Sequence, residues 1–407
     1  MTGLPIATIG VLLLVACLIA IVCRKLGLPY IVGLVVAGFL IALLPDGPQL
    51  PLSRSLIFDV LLPPLVFEAA LELEWKRFRR ELPITLTFAF VGVAIAAAVV
   101  AGGMHWLVGW SWIGAALFGI LIAATDPVSV IATFRELGAE PRVRMVVESE
   151  SLLNDGVAAV GFAVVSAIAA GSAMSVGAAV PAFLWALVGG LTIGGLVAGT
   201  ALLIAGRTDD VLIEITLTTI AAYASLSIAE HLHASGVIAT LTAGLIVGNV
   251  GSLGAIADSG RNYVLAFWTY VAFLANSFVF ILIGMHTAAQ PLGRLASLAS
   301  LTAVVLVLVS RAISIYPLAA LFRGSKLSLP AAYQHTLFWG GLRGALALAL
   351  ALAVPATVPE RSAIIVAAFV VVAFSIVVQG LTMPVLLRRL GLSGHPPEAV
   401  AAPPAAG

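Results

Sequence analysis

Charge is what this 407-residue chain has little of: Lys, Arg, Asp and Glu make up 10% of it, against 61% hydrophobic residues and a mean hydropathy of +1.15. So little charge excludes a soluble globular fold and places the chain among membrane proteins. The net charge is only +1, and no dense Lys/Arg run is interleaved with aromatics, so nucleic acid drops out as a partner. Cysteine is nearly absent. Cys17 and Cys23 both lie in the first apolar segment, where a thiol acts as a small hydrophobe, and they have no metal-ligand spacing. A dozen or so spans with short connections use up the length, which leaves no room for a large soluble catalytic or regulatory domain. No enzyme activity and no cofactor are expected.

What is there is a series of apolar stretches broken by charged or Gly/Pro-rich loops. They predict an all-α integral membrane protein with about thirteen spans, at 5–23, 28–45, 55–73, 82–108, 112–134, 146–170, 178–205, 211–230, 235–250, 262–288, 297–322, 330–353 and 361–387. The first is too long for a signal-peptide core and has no small-residue cleavage pattern, so it reads as a retained span. Fifteen basic residues fall in alternate loops, and only Arg54, Arg294 and Arg361 fall in the other set. The positive-inside rule then puts the N-terminus outside and the C-terminus in the cytoplasm. Residues 1–392 read as one transmembrane unit and 393–407, rich in Pro and Ala, as a disordered tail.

Charged side chains inside apolar spans are functional candidates, because each costs several kcal/mol there. They are Glu68, Asp126, Glu148, Glu150, Asp155, Arg311 and Arg343. Pro127 follows Asp126 and disfavours helix at that point, so the span 112–134 is expected to be interrupted in mid-membrane, a common device for ion coordination. In the next span Glu148, Ser151 and Asp155 share one helical face, while Glu150 and Asn154 share another. Oxygen ligands such as Asp155, Ser151, Thr125 and Glu68 suit a hard cation. Away from water a carboxylate resists ionisation, so cation and proton compete for the same oxygens. Exchange follows if the site reorients only when occupied.

These residues sit in recognisable motifs: TDP at Thr125–Pro127, ESLLNDG at Glu150–Gly156, LPPLVFEAAL at Leu62–Leu71, FVFILIGM at Phe278–Met285 and GGLRGALAL at Gly340–Leu348. Together they resemble the NhaP-type sodium/proton antiporters and the related animal exchangers, from the third span to the thirteenth. The resemblance implies two inverted six-helix repeats with crossed interrupted helices, 112–134 and 330–353 here. It further implies a core bundle at 82–170 and 297–387, interface helices at 5–73 and 178–288, and a homodimer in the plasma membrane. Asp155 would be the ion- and proton-binding carboxylate with Asn154 beside it, and Ser151, Thr125 and Glu68 would complete a sodium shell. Glu150 would pair with Arg343, and Arg311 would compensate charge in the core. Asn154 stands where electrogenic relatives carry a second aspartate, which suggests electroneutral exchange. A short tail suggests a prokaryotic protein with a part in pH homeostasis.

Several alternatives stay open. Asp126 reads equally as a ligand and as a cap on the exposed amides of a broken helix. Glu148 reads as a charge at the cytoplasmic mouth or a plain helix-end residue. Lithium could replace sodium, and a potassium/proton antiporter would use the same scaffold. More remote readings are a cation channel and an intramembrane aspartyl protease built on Asp126 and Asp155, though neither acid has GxGD surroundings.

Overall fold

The computed structural model describes residues 6–44, 52–126, 128–171, 176–250, 258–288 and 297–393, and among them every regular element is a helix. In chain order they are α1 (Ile6–Leu26), α2 (Tyr30–Ala42), α3 (Leu62–Glu72) behind a π-helical turn at Leu56–Leu61, and α4 (Trp75–Val108). Then come α5 (Trp112–Leu121), α6 (Val128–Glu136), α7 (Pro141–Ala169), α8 (Val176–Ala205), α9 (Val211–His231) and α10 (Gly236–Val250). The series ends with α11 (Asp258–Ala288), α12 (Leu298–Leu321), α13 (Ala331–Trp339), α14 (Ala345–Leu352) and α15 (Arg361–Arg389).

Helix lies in each of the thirteen expected segments, and eight helices are long and apolar enough to cross a membrane on their own. Two expected spans are each split into a pair of short helices. The two helices that start earliest relative to the hydropathy expectation are α4, at Trp75 instead of 82, and α7, at Pro141 instead of 146. Their first turns are amphipathic and basic, so a hydropathy window passes over them. Arg142 reaches Glu81 at 2.9 Å and ties the two starts together. The tail from 394 onward and Arg294 lie outside the described residues.

Helices in lipid gain little from apolar contact alone, so they associate where small residues let backbones approach. A Cβ on Gly38 would run into the Ile281 carbonyl and one on Gly284 into that of Val35, which locks α2 to α11. Gly244 and Gly248 do the same for α10 against Phe67 and Leu71 of α3. The densest packing falls into two groups. One group comprises α2, α3, α8, α9, α10 and α11; the other comprises α4, α5, α7, α12 and α15. Within the second group the pattern long, broken, long occurs twice, as α4, α5/α6, α7 and as α12, α13/α14, α15.

The two breaks meet. Residues 122–126 and 340–344 are not helical, and the Asp126 amide donates to the Leu342 carbonyl at 2.7 Å. Pro127 itself lies outside the described residues.

Candidate ion-binding site

Breaking a helix leaves amides without partners at one new end and carbonyls at the other. Two breaks side by side create two of each. Both amide ends fall to Asp126: its carboxylate accepts from the Val128 amide at 3.0 Å and from the Ala345 amide, at the starts of α6 and α14. Gly344 permits this, since a Cβ there would strike the Asp126 carboxylate. The carbonyl ends fall to arginines. Arg343 Nη1 donates to Ala123 and Ala124 at 2.7 and 2.9 Å, while Arg311 Nη2 donates to Leu337 at 3.0 Å. The carboxylate therefore lies where the helix ends favour negative charge, and the guanidinium groups where they favour positive charge.

The structure corrects the expected Glu150–Arg343 pair. Glu150 is held by Arg311 instead, in a bidentate bridge of 2.8 Å (Nη1 to Oε1) and 3.1 Å (Nη2 to Oε2). The reason is positional: Arg343 is spent on the α5 carbonyls, and α12 lays Arg311 alongside α7. Arg311 does compensate charge, but for Glu150 and the α13 end together.

The continuous helix α7 presents its polar face to the first break. The Ser151 hydroxyl donates to the Thr125 carbonyl, and Thr125 Oγ1 lies 3.1 Å from Ser151 Oγ. Asn154 bonds on both sides: Oδ1 accepts from the Thr125 amide at 3.1 Å, while Nδ2 donates to Thr125 Oγ1 at 2.6 Å and to Glu150 Oε1 at 3.2 Å. Its carboxamide holds Thr125 in place beside Asp155.

Asp155 differs from its neighbours. Its Oδ1 is buried and has no hydrogen-bond partner among the described residues. It lines a chamber of about 40 Å³ together with Thr125, Asp126 and the apolar side chains of Leu62, Leu65 and Leu152. That is room for about one water molecule or one bare ion.

Glu68 is not in this chamber. It lines an adjoining vestibule of about 340 Å³ with Glu148, Asn276 and Tyr30, and the two spaces share Leu65, Ala69 and Val128 as walls. A second vestibule of about 340 Å³, lined by Arg54, Glu230 and His233, shares no wall residue with the chamber. The helices α7 and α14 pass from chamber to second vestibule within about one turn, from Asp155 to Ala159 and from Leu346 to Leu350. Of the residues expected at the site, Asp155, Thr125 and Asp126 line one chamber, Ser151 and Asn154 brace it, and Glu68 stands one step outside.

A sodium/hydrogen exchanger transmembrane family model matches residues 11–389. The chain belongs to the sodium/hydrogen exchanger family. The exchanger is 39% identical over 369 residues to the Na(+)/H(+) antiporter ApNhaP of Aphanothece halophytica, covering 90% of this chain and 70% of that protein. It is 35% identical over 347 residues to the Na(+)/H(+) antiporter NhaP of Pseudomonas aeruginosa, covering 83% of this chain and 81% of the other. In fold it matches the sodium proton antiporter MjNhaP1 of Methanocaldococcus jannaschii with a TM-score of 0.74 at 21% identity, over 95% of this chain and 98% of that one. Members of this family are transporters and not enzymes, in line with the expectation of no enzyme activity.

Two polar residues of the exchanger passed unnoticed in the sequence. Ser375 and Gln379 sit on a π-helical turn in α15, buried against the second break. Their signal was present, as isolated polar residues in the apolar run FVVVAFSIVVQG.

Proposed function

We propose that this chain is a secondary active antiporter that exchanges sodium, or lithium in its place, for protons across the plasma membrane. Cation and proton compete for Asp155. The observation that carries the reading is the buried, unpartnered Asp155 Oδ1 on the wall of a chamber sized for one ion. The names of the curated relatives support sodium as the cation. The Ser151 hydroxyl, Thr125 and Asp155 offer the oxygens a hard cation takes. Glu68, in the adjoining vestibule, draws the cation toward the chamber.

Formal charges favour one-for-one exchange. Glu150 offsets Arg311 and Asp126 offsets Arg343, so the remaining charge is that of Asp155. Neutralised by H⁺ or by Na⁺, the core carries no net charge and can move through a low-dielectric surround. Ionised and empty it cannot, except at a cost of several kcal/mol. That asymmetry couples the two fluxes and makes the cycle electroneutral.

The chamber shares walls with the Glu68/Glu148 vestibule and none with the Arg54/Glu230 vestibule, which supports a site facing the former. The basic residues Lys76 to Arg80, Arg142 and Arg144 flank the same face, which makes it cytoplasmic by the positive-inside rule. Thirteen crossings then leave the N-terminus outside and the C-terminus inside. The two packing groups support a core bundle at 82–170 and 297–387 moving against helices 5–73 and 178–288, the latter joining two copies in a homodimer.

The test is purified protein in proteoliposomes with an acid interior and a pH-sensitive dye, titrated with sodium, lithium and potassium. Sodium should discharge the proton gradient in the wild type and leave it intact in Asp155→Ala. Discharge by potassium alone would reassign the cation. A wild type that moves no protons on cation addition at any pH would end the reading, as would an undiminished Asp155→Ala.

A further inference from the structure

Polar side chains in an apolar span are costly unless they are used, and α15 buries two of them at the second break. Ser375 is 1% exposed and Gln379 3%. Ser375 Oγ donates to Val372 O at 2.9 Å, within its own helix, and its oxygen accepts the Arg343 amide at 3.0 Å. Gln379 Nε2 donates to the Trp339 carbonyl at 3.1 Å, and Trp339 in turn donates Nε1 to Thr382 Oγ1 of α15 at 2.8 Å. The amide of Arg343 and the carbonyl of Trp339 are groups that the break in α13/α14 leaves without helical partners. The segment of α15 that serves them, Ser375–Gln379, is π-helical, a departure from α geometry that concentrates at functional sites.

The bridge 340–344 is thus gripped from two sides. On one side Leu342 O takes the Asp126 amide at 2.7 Å. On the other stand Ser375 and Gln379. What the bridge holds is the guanidinium of Arg343, which fixes the carbonyls of Ala123 and Ala124, next in the chain to Thr125. A displacement of Arg343 reaches the chamber wall through two residues.

We propose that Ser375 and Gln379 are positioning residues for the ion site: from the last span they hold the second break so that Arg343 keeps the Thr125 segment in register with Asp155. The proposal rests on the assignment of the Asp155 chamber as the site of exchange. It predicts that these residues govern how tightly sodium is held more than how fast the loaded protein turns over.

The experiment compares sodium-dependent proton movement in proteoliposomes for wild type, Ser375→Ala, Ser375→Thr, Gln379→Leu and Asp155→Ala, with thermal melting of each. Ser375→Ala and Gln379→Leu should raise the apparent KM for sodium roughly three- to tenfold, with the rate at saturating sodium within about twofold of wild type. Ser375→Thr keeps the hydroxyl and should return the KM to within about twofold of wild type. Unchanged KM values in both apolar variants, with lowered melting temperature alone, would mean a purely structural role and overturn the proposal. A Thr variant as impaired as the Ala variant would overturn it too. If Ser375→Ala does not fold, Ser375→Cys, with a weaker acceptor, carries the same readout. Failure of the exchange reading shows separately, in wild type and Asp155→Ala, whatever Ser375 and Gln379 do.

Discussion

Removing the Arg311 guanidinium while Glu150 stays should be among the most damaging single changes in the core. Glu150 is 1% exposed and Arg311 8%, and two hydrogen bonds of 2.8 and 3.1 Å join them. Stranding one member of a buried pair costs about 3–5 kcal/mol. The Leu337 carbonyl, which Arg311 also serves, adds about 1–3 kcal/mol when orphaned. Arg311→Met should therefore lose about 4–8 kcal/mol, which is a large part of the 5–15 kcal/mol that holds a typical domain. The double variant Glu150→Gln/Arg311→Met removes both charges, and Gln at 150 can still accept from Asn154. It should recover about 3–5 kcal/mol, leaving only the carbonyl unserved. Melting followed by tryptophan fluorescence, in detergent or nanodiscs, reads the difference. Arg343→Met is the control, because its partners are carbonyls, and Glu150→Gln should not rescue it. A double variant no more stable than Arg311→Met would refute the pairing, as would rescue of Arg343→Met by Glu150→Gln.

Asp155→Asn should fold with near wild-type melting and yet abolish sodium-driven proton movement in proteoliposomes; retained transport would remove Asp155 from the central role. In the wild type, acid loads Asp155 with a proton and sodium must displace it, so the apparent KM for sodium should rise by about tenfold per pH unit on the acid side. A KM independent of pH would exclude competition at one carboxylate. Asn154→Ala breaks two bonds to Thr125 and should cost about 2 kcal/mol in melting along with much of the transport rate, while Asn154→Asp sets a carboxylate against Glu150 and should slow transport without making it respond to membrane potential. Asp126→Asn keeps an acceptor for one helix end and should lose about 1 kcal/mol, and Asp126→Ala, which serves neither, about twice that; equal melting of the two would deny the capping role.

Several features of the site were visible in the residues themselves. Hydropathy marks the spans because lipid cannot satisfy backbone or charge. Pro127 and the glycines at 340, 341 and 344 announce the breaks, and the helical period puts Ser151 and Asp155 on the face that meets the first of them. Glu68 could not be separated from the chamber ligands this way, because its neighbours Leu65 and Ala69 do line that chamber and a helix face does not reveal where a wall ends. The role of Asn154 was hidden because an amide beside a carboxylate has the same pattern whether it binds an ion or the backbone opposite.

The sequence by itself determined that this is an all-helical membrane protein, where its helices break, and which few acids and arginines lie among apolar residues. All of that follows from local properties: transfer free energy, helical period, and the stiffness of proline. Only the tertiary structure decided which arginine neutralises which acid, since Glu150 and Arg311 are 161 residues apart and both arginines are chemically able to do it. The crossing of the two breaks settles the choice. It spends Arg343 on carbonyls and Asp126 on amides, gives Arg311 to Glu150, and leaves Asp155 with an oxygen that none of the described residues satisfies.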